Sequence, residues 1–277
     1  MRSVSFPSGE RVPALGIGTW QLAEKRARRG EEIATLRLAI ELGASLIDTA
    51  ELYGEGTTET LVGEALAGHR EEVFLVSKVH PRNASRQGVV AACERSLMRL
   101  RTDRIDLYLL HWRGEVPFAE TLEAFLALQQ QGKIRYFGVS NFDLGEMRQL
   151  WGLAGAHAVA TDQVLYNLLH RGAERDLFPW LRERHIPVMA YSPLDHGALL
   201  GNAALVGFAE HHGMSPAQVA LAWLLSHEDV IAIPKTTRRE RLQEDLAALE
   251  HPLSSAQLRE LDQLFPTPTD AQPLEMI

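Results

Sequence analysis

The chain has 277 residues, 45% of them hydrophobic, and its 28 basic against 36 acidic side chains give a net charge of −8. That composition suits one globular domain over residues 1–277, and the acidic balance argues against non-specific nucleic-acid binding. No apolar run approaches the roughly 20 residues that span a bilayer, so no membrane segment is expected.

At the start, Met1-Arg2-Ser3-Val4 runs into the polar turn Pro7-Ser8-Gly9. This predicts a β-hairpin over residues 4–15 rather than a secretory leader. Residues 14–18 form the first barrel strand and residues 31–42 its helix. Short β-favouring runs follow at 45–47, 73–77 and 105–110, ending at Asp48, Lys78 and His111. Helical patterns at 59–67 and 89–100 separate them. On the second of these, Cys93 reads as a small buried side chain. As the single cysteine it has no internal disulfide partner, which fits a reducing cytoplasm. Glu59 and Glu64 are expected to cap and solubilise the first helix.

Further strands are predicted at 136–140, 160–164, 187–191 and 230–233, each followed by a helical pattern. Ser215 and Pro216 mark a helix start. Eight β/α units with right-handed crossovers make a (β/α)8 TIM barrel, for which about 250 residues is typical, with the hairpin closing its bottom. A doubly wound open sheet competes, but Gly16-Ile17-Gly18 opens a dinucleotide fingerprint that nothing completes. The scattered histidines, His211-His212 included, lack metal-ligand spacing, so no metal is expected.

In such a barrel the strand C-termini share the catalytic rim. Asp48, Lys78 and His111 fall there, with Tyr53 just beyond. A phenol with a pKa near 10 needs help to move protons at neutral pH. A lysine ammonium about 4 Å away favours the phenolate by roughly 4 kcal/mol at an effective dielectric near 20. That would pull the Tyr53 pKa down by as much as about 3, less what Asp48 cancels while it holds Lys78 in place. Neutral His111 can donate to a carbonyl oxygen. Such a site lacks only a hydride.

Trp20 and Trp112, after the first and fourth strands, are expected to wall a pocket. The 112–117 loop and the tail after Phe265 are short, so the pocket should be open and suited to small carbonyls, with Arg113 available to attract an acidic substrate. Lys235-Thr236-Thr237-Arg238-Arg239-Glu240-Arg241 places four cations after the last strand, at the start of the last helix. Helix-start N–H groups with added cations favour phosphate.

Asp48-Thr49-Ala50-Glu51-Leu52-Tyr53-Gly54, Ser77-Lys78, Leu110-His111-Trp112, Gly138-Val139-Ser140-Asn141-Phe142 and Ile233-Pro234-Lys235-Thr236 together resemble the aldo-keto reductase family. The likeness runs from Gly18-Thr19-Trp20 to the last barrel helix. Within the family the chain is most similar to the bacterial short-looped members, such as methylglyoxal and diketogluconate-type reductases. The resemblance implies NADPH-dependent reduction of small aldehydes and ketones, with Tyr53 as proton donor, Lys78 and Asp48 tuning it and His111 orienting the carbonyl. It implies Thr19 and Trp20 beside the cofactor and Ser140, Asn141 and Gln163 on the nicotinamide carboxamide, with Tyr191 stacked on the ring. Ser192 and Leu194 would flank the pyrophosphate. Lys235, Thr236 and Arg241 would take the 2′-phosphate, and Glu244 the adenine.

Asp245 departs from the family's common asparagine, and Asp195-His196-Gly197 from its commonest loop. Glu55-Gly56-Thr57-Thr58 lengthens a loop beside the pocket. The other function class compatible with these residues is an NADP(H)-binding sensor or regulatory subunit with slow turnover. These residues leave the oligomeric state open, and a monomer would suffice.

Overall fold

The computed structural model describes residues 2–270 and 272–277. The hairpin is β1 (Ser3–Ser5) and β2 (Arg11–Pro13), paired antiparallel with Val4 opposite Val12. Eight parallel strands follow: β3 (Ile17–Gly18), β4 (Leu46–Asp48), β5 (Phe74–Val79), β6 (Ile105–Leu110), β7 (Ile134–Ser140), β8 (Asp162–Leu165), β9 (Val188–Tyr191) and β10 (Val230–Ala232). They pair in sequence order from β3 to β10.

Around them lie α1 (Arg29–Glu41), α2 (Thr57–Ala65), α3 (Arg86–Leu100), α4 (Phe118–Gln130), α5 (Leu144–Trp151), α6 (Leu177–Glu183), α7 (Ala203–His211), α8 (Pro216–Leu225), α9 (Arg239–Ala247) and α10 (Ser255–Leu264). The strands are almost continuously buried because helices cover their outer faces and side chains fill the interior. None of the described helices is long and apolar enough to cross a membrane.

The first barrel strand is shorter than the predicted 14–18. Only Ile17 and Gly18 pair with β4, whereas the residues before them close the cylinder onto the other edge. Ala232 N–H donates to the Ala14 carbonyl at 2.8 Å, Gly16 N–H to Ala232 at 2.9 Å and Gly18 N–H to Pro234 at 2.8 Å. Glycine is needed at position 16, since a Cβ would lie 2.6 Å from the Leu46 side chain and 2.7 Å from its carbonyl.

The hairpin seals the strand N-termini, as expected. Phe6 packs edge-on against Phe74 and Tyr136, both at 5.6 Å, and Glu10 accepts from the Tyr136 hydroxyl at 2.6 Å. Ser215 caps α8 in a reciprocal box with Gln218, and Pro216 takes its first turn.

Two expectations fail. The basic run opens α9, which is not the last helix: α10 follows it. Glu59 does not solubilise α2 but is fully buried, accepting from Ser77 Oγ at 2.6 Å and Arg99 Nε at 2.6 Å. Its position facing β5 turns a nominal surface acid into an anchor for the strand that carries Lys78.

Candidate active site

Asp48 ends β4, Lys78 lies one residue from the end of β5 and His111 directly follows β6. The register sets Val76 beside Asp48 and Leu109 beside Lys78. Each polar residue therefore stands two positions beyond the partner of the one before it. A strand alternates faces at every residue, so steps of two keep all three side chains on the interior face while they climb toward the rim.

Tyr53 reaches the same point from a tight turn after β4. Gly54 and Glu55 adopt φ of 54° and 53° there, which folds the chain back sharply. The Lys78 ammonium is fully buried and spends its three donors on Asp48 Oδ2 at 2.7 Å, the Thr49 carbonyl at 3.0 Å and the Tyr53 hydroxyl at 3.2 Å. Asp48 Oδ1 accepts from Gln163 Nε2 at 2.8 Å. Thr19, at the edge of the cleft, donates its hydroxyl to the Asp48 carbonyl at 2.8 Å and so braces β4.

Burial pushes the Lys78 ammonium down, yet Asp48 and Tyr53 carry it above the ordinary lysine value, so it stays cationic. The expected depression of Tyr53 is not found. Burial raises the phenol, and Asp48 adds to that, together outweighing the lowering by Lys78. The sequence estimate counted the cation but not the loss of water around the hydroxyl. The Tyr53 phenol is therefore protonated at neutral pH. Burial, then Lys78 and His80, push His111 well below its usual range, so its ring is neutral. Its Nδ1 is buried without a protein partner, and the ring lines the cleft.

These groups form the floor of a cleft of about 920 Å³. Of the residues predicted for the site, all line it except Lys78, which lies beneath, and Arg113. Asn141, at φ 59°, donates to the His111 carbonyl at 3.2 Å and Ser140 Oγ at 3.1 Å, and accepts from the Tyr191 hydroxyl at 2.9 Å. Ser140 Oγ donates to the Gln163 carbonyl at 2.8 Å. Ser192 and Leu194 follow β9, and Ser192 holds φ 48°. At the far end Lys235 and Arg241 are exposed around buried Thr236, whose hydroxyl accepts from Arg238 N–H at 3.1 Å. Burial, reinforced by Glu244 and opposed by Arg241, pushes Asp245 up to about 7.

With this geometry the comparisons agree. Residues 14–265 match the Aldo/keto reductase family. The chain belongs to that family. It is 50% identical to methylglyoxal reductase YeaE of Escherichia coli K12, over 100% of this chain and 99% of that protein. It is 33% identical to methylglyoxal reductase DkgB of Escherichia coli O157:H7, over 86% and 87% respectively. A crystal structure of an aldo/keto reductase from Klebsiella pneumoniae in complex with NADP and acetate matches with a TM-score of 0.96 and 44% identity, covering 100% of this chain and 99% of that one.

In this aldo/keto reductase several lining residues escape sequence reading. His196 packs its ring, tilted by 38°, against Trp20 at 4.7 Å, so the unusual 195–197 loop builds part of the pocket wall. The tail, expected to leave the site open, instead brings Met276 and Ile277 to the cleft. Leu52, on the turn before Tyr53, adds an apolar wall; its adjacency to Tyr53 was the available signal. Trp112 lines the cleft with its ring tilted against His111 at 4.9 Å, whereas Arg113 is not part of the lining. Among the described residues no group of three or more metal-ligating side chains is gathered.

Proposed function

We propose that this aldo/keto reductase reduces small aldehydes and ketones with NADPH, 2-oxoaldehydes such as methylglyoxal and sugar-derived carbonyls among them, and that Tyr53 donates the proton. The observation that carries the reading is the Tyr53 hydroxyl 3.2 Å from a buried Lys78 that Asp48 holds charged, beside a neutral His111.

The cleft fits a long dinucleotide. Its hydroxyl and amides at Ser140, Asn141 and Gln163 are already fixed by their neighbours, so ordering them against a carboxamide costs little. Tyr191 offers a ring plane, Ser192 and Leu194 flank the middle, and Lys235, Thr236 and Arg241 supply cations and a buried hydroxyl for a 2′-phosphate, with Glu244 toward the adenine. NADPH, when bound, supplies a hydride to the carbonyl carbon.

The remaining work falls to the chain. His111 Nε2–H takes the carbonyl oxygen and fixes its direction. Tyr53 gives its O–H proton to that oxygen as negative charge develops, and Lys78 meets the charge left on the phenolate. Solvent returns the proton. Trp20 and Trp112 exclude water from the sides. A single domain over residues 1–277 would suffice, and one buried thiol suits a cytoplasmic setting.

The test is NADPH consumption with methylglyoxal and a panel of small aldehydes, beside the Tyr53→Phe variant. Turnover should fall by about 10²- to 10⁴-fold in the variant while NADPH binding persists. Tight NADPH binding by the unaltered chain without turnover on any carbonyl would shift the reading to a sensor or regulatory subunit.

A further inference from the structure

The tail beyond α10 is drawn in by one short segment after β8. Arg171 donates to the Phe265 carbonyl at 2.5 Å, Glu174 accepts from Thr267 at 2.7 Å, and Arg175 donates to the Thr269 carbonyl at 2.5 Å. The last grip is His170, whose Nδ1 lies 2.7 Å from Glu275 Oε2. It delivers Met276 and Ile277 to the wall of the cleft that Tyr191 also lines.

His170 has a second partner. Its Nε2 lies 3.4 Å from Asp195 Oδ1. Asp195 opens the turn Asp195–Gly197, which carries His196 onto Trp20. Asp195 and His196 adopt φ of 48° and 53°, a left-handed stretch of non-glycine residues that persists only when something outside it holds it. The base of the histidine is itself fixed. Asn167 Oδ1 accepts from Leu169 N–H at 2.9 Å and His170 N–H at 3.2 Å, and its amide donates to the Ser192 carbonyl at 2.9 Å.

We propose that His170 is a positioning residue that couples the two jaws of the cleft, the tail ending in Met276 and Ile277 and the 195–197 loop beside the cofactor path. With one imidazole between two carboxylates, loosening either jaw loosens the other. The inference rests on the NADPH reading given above. Partly exposed polar contacts of this kind add little to global stability, so the effect belongs to ligand exchange and not to folding.

The experiment compares the unaltered chain with Glu275→Ala, His170→Ala and the double variant. It measures NADPH release by stopped-flow fluorescence, together with kcat and KM for methylglyoxal. Glu275→Ala should speed NADPH release by roughly fivefold, within the range of coupling in a shared network, and raise KM without lowering kcat. The double variant should release NADPH no faster than His170→Ala alone. A Glu275→Ala chain with a raised KM and an unchanged release rate would overturn the coupling, as would effects that multiply in the double variant. An unaltered chain that fails to bind NADPH would overturn the functional reading itself.

Discussion

Gln163 donates its side-chain amide to Asp48 Oδ1 at 2.8 Å, while the other oxygen of that carboxylate holds Lys78. The residue proposed to face the nicotinamide and the one proposed to tune the proton donor thus share a single carboxylate. Asp48→Asn should lower kcat/KM and cost about 3–5 kcal/mol of stability, as expected for a buried charge left unpaired. Lys78 in the unaltered chain binds its proton more tightly folded than unfolded. Its stabilising share is therefore full below the ordinary lysine range and lost as pH rises through the folded value. Melting curves across alkaline pH should show that loss in the unaltered chain and a weaker one in the variant.

Lys235→Ala combined with Arg241→Ala should weaken NADPH by about 10- to 100-fold, as for the loss of one or two hydrogen bonds from charged donors. NADH, without a 2′-phosphate, should be affected far less. Fluorescence titration with both cofactors makes the check, and equal losses would place the phosphate elsewhere.

Asp245 brings a titration to the end of the cleft proposed to hold the adenosine 2′-phosphate. Its carboxyl, pushed up to about 7 by burial, ionises as pH climbs through neutrality and then opposes a nearby phosphate. NADPH affinity should fall between pH 6 and pH 8 more steeply than in Asp245→Asn. At pH 8 the variant should bind about fivefold tighter, in keeping with one like-charge contact in a watery setting.

Asp162 stands behind the site, fully buried, with Oδ2 unpartnered and Oδ1 only 3.5 Å from Phe142 N–H. Burial, with Glu146 and Asp143 adding to it, holds the carboxyl well above the usual carboxylate range against the lowering by that N–H. Folding therefore takes up a proton. Stability is greatest below the ordinary carboxylate value and declines as pH rises toward the folded one. Asp162→Asn should flatten that decline and gain about 1–3 kcal/mol at pH 8, measurable by denaturant titration.

Three strand ends were legible because each closes a short, mostly apolar run at a polar residue: residues 105–110 were placed without error, and Asp48, Lys78 and His111 emerged at the run ends. What escaped depends on burial and chain reversal. Glu59 has the composition of a surface helix, and only its position facing Ser77 and Arg99 makes it internal. The Tyr53 pKa turned on desolvation, which no spacing reports. His196 and Ile277 reach the cleft through a left-handed loop and a tail folded back over distance, neither of which has a periodic signal.

The two-residue stagger from Asp48 to Lys78 to His111 stores the site's dimensions in whole rungs of a ladder. Such spacing cannot drift by fractions as surface residues change; it holds, or it jumps and loses the inward-facing set altogether. Trp20, the 195–197 loop and the tail lie outside that ladder and carry no such restriction. Substrate range and reactivity are therefore separable inheritances in this chain, one free to wander while the other stays locked.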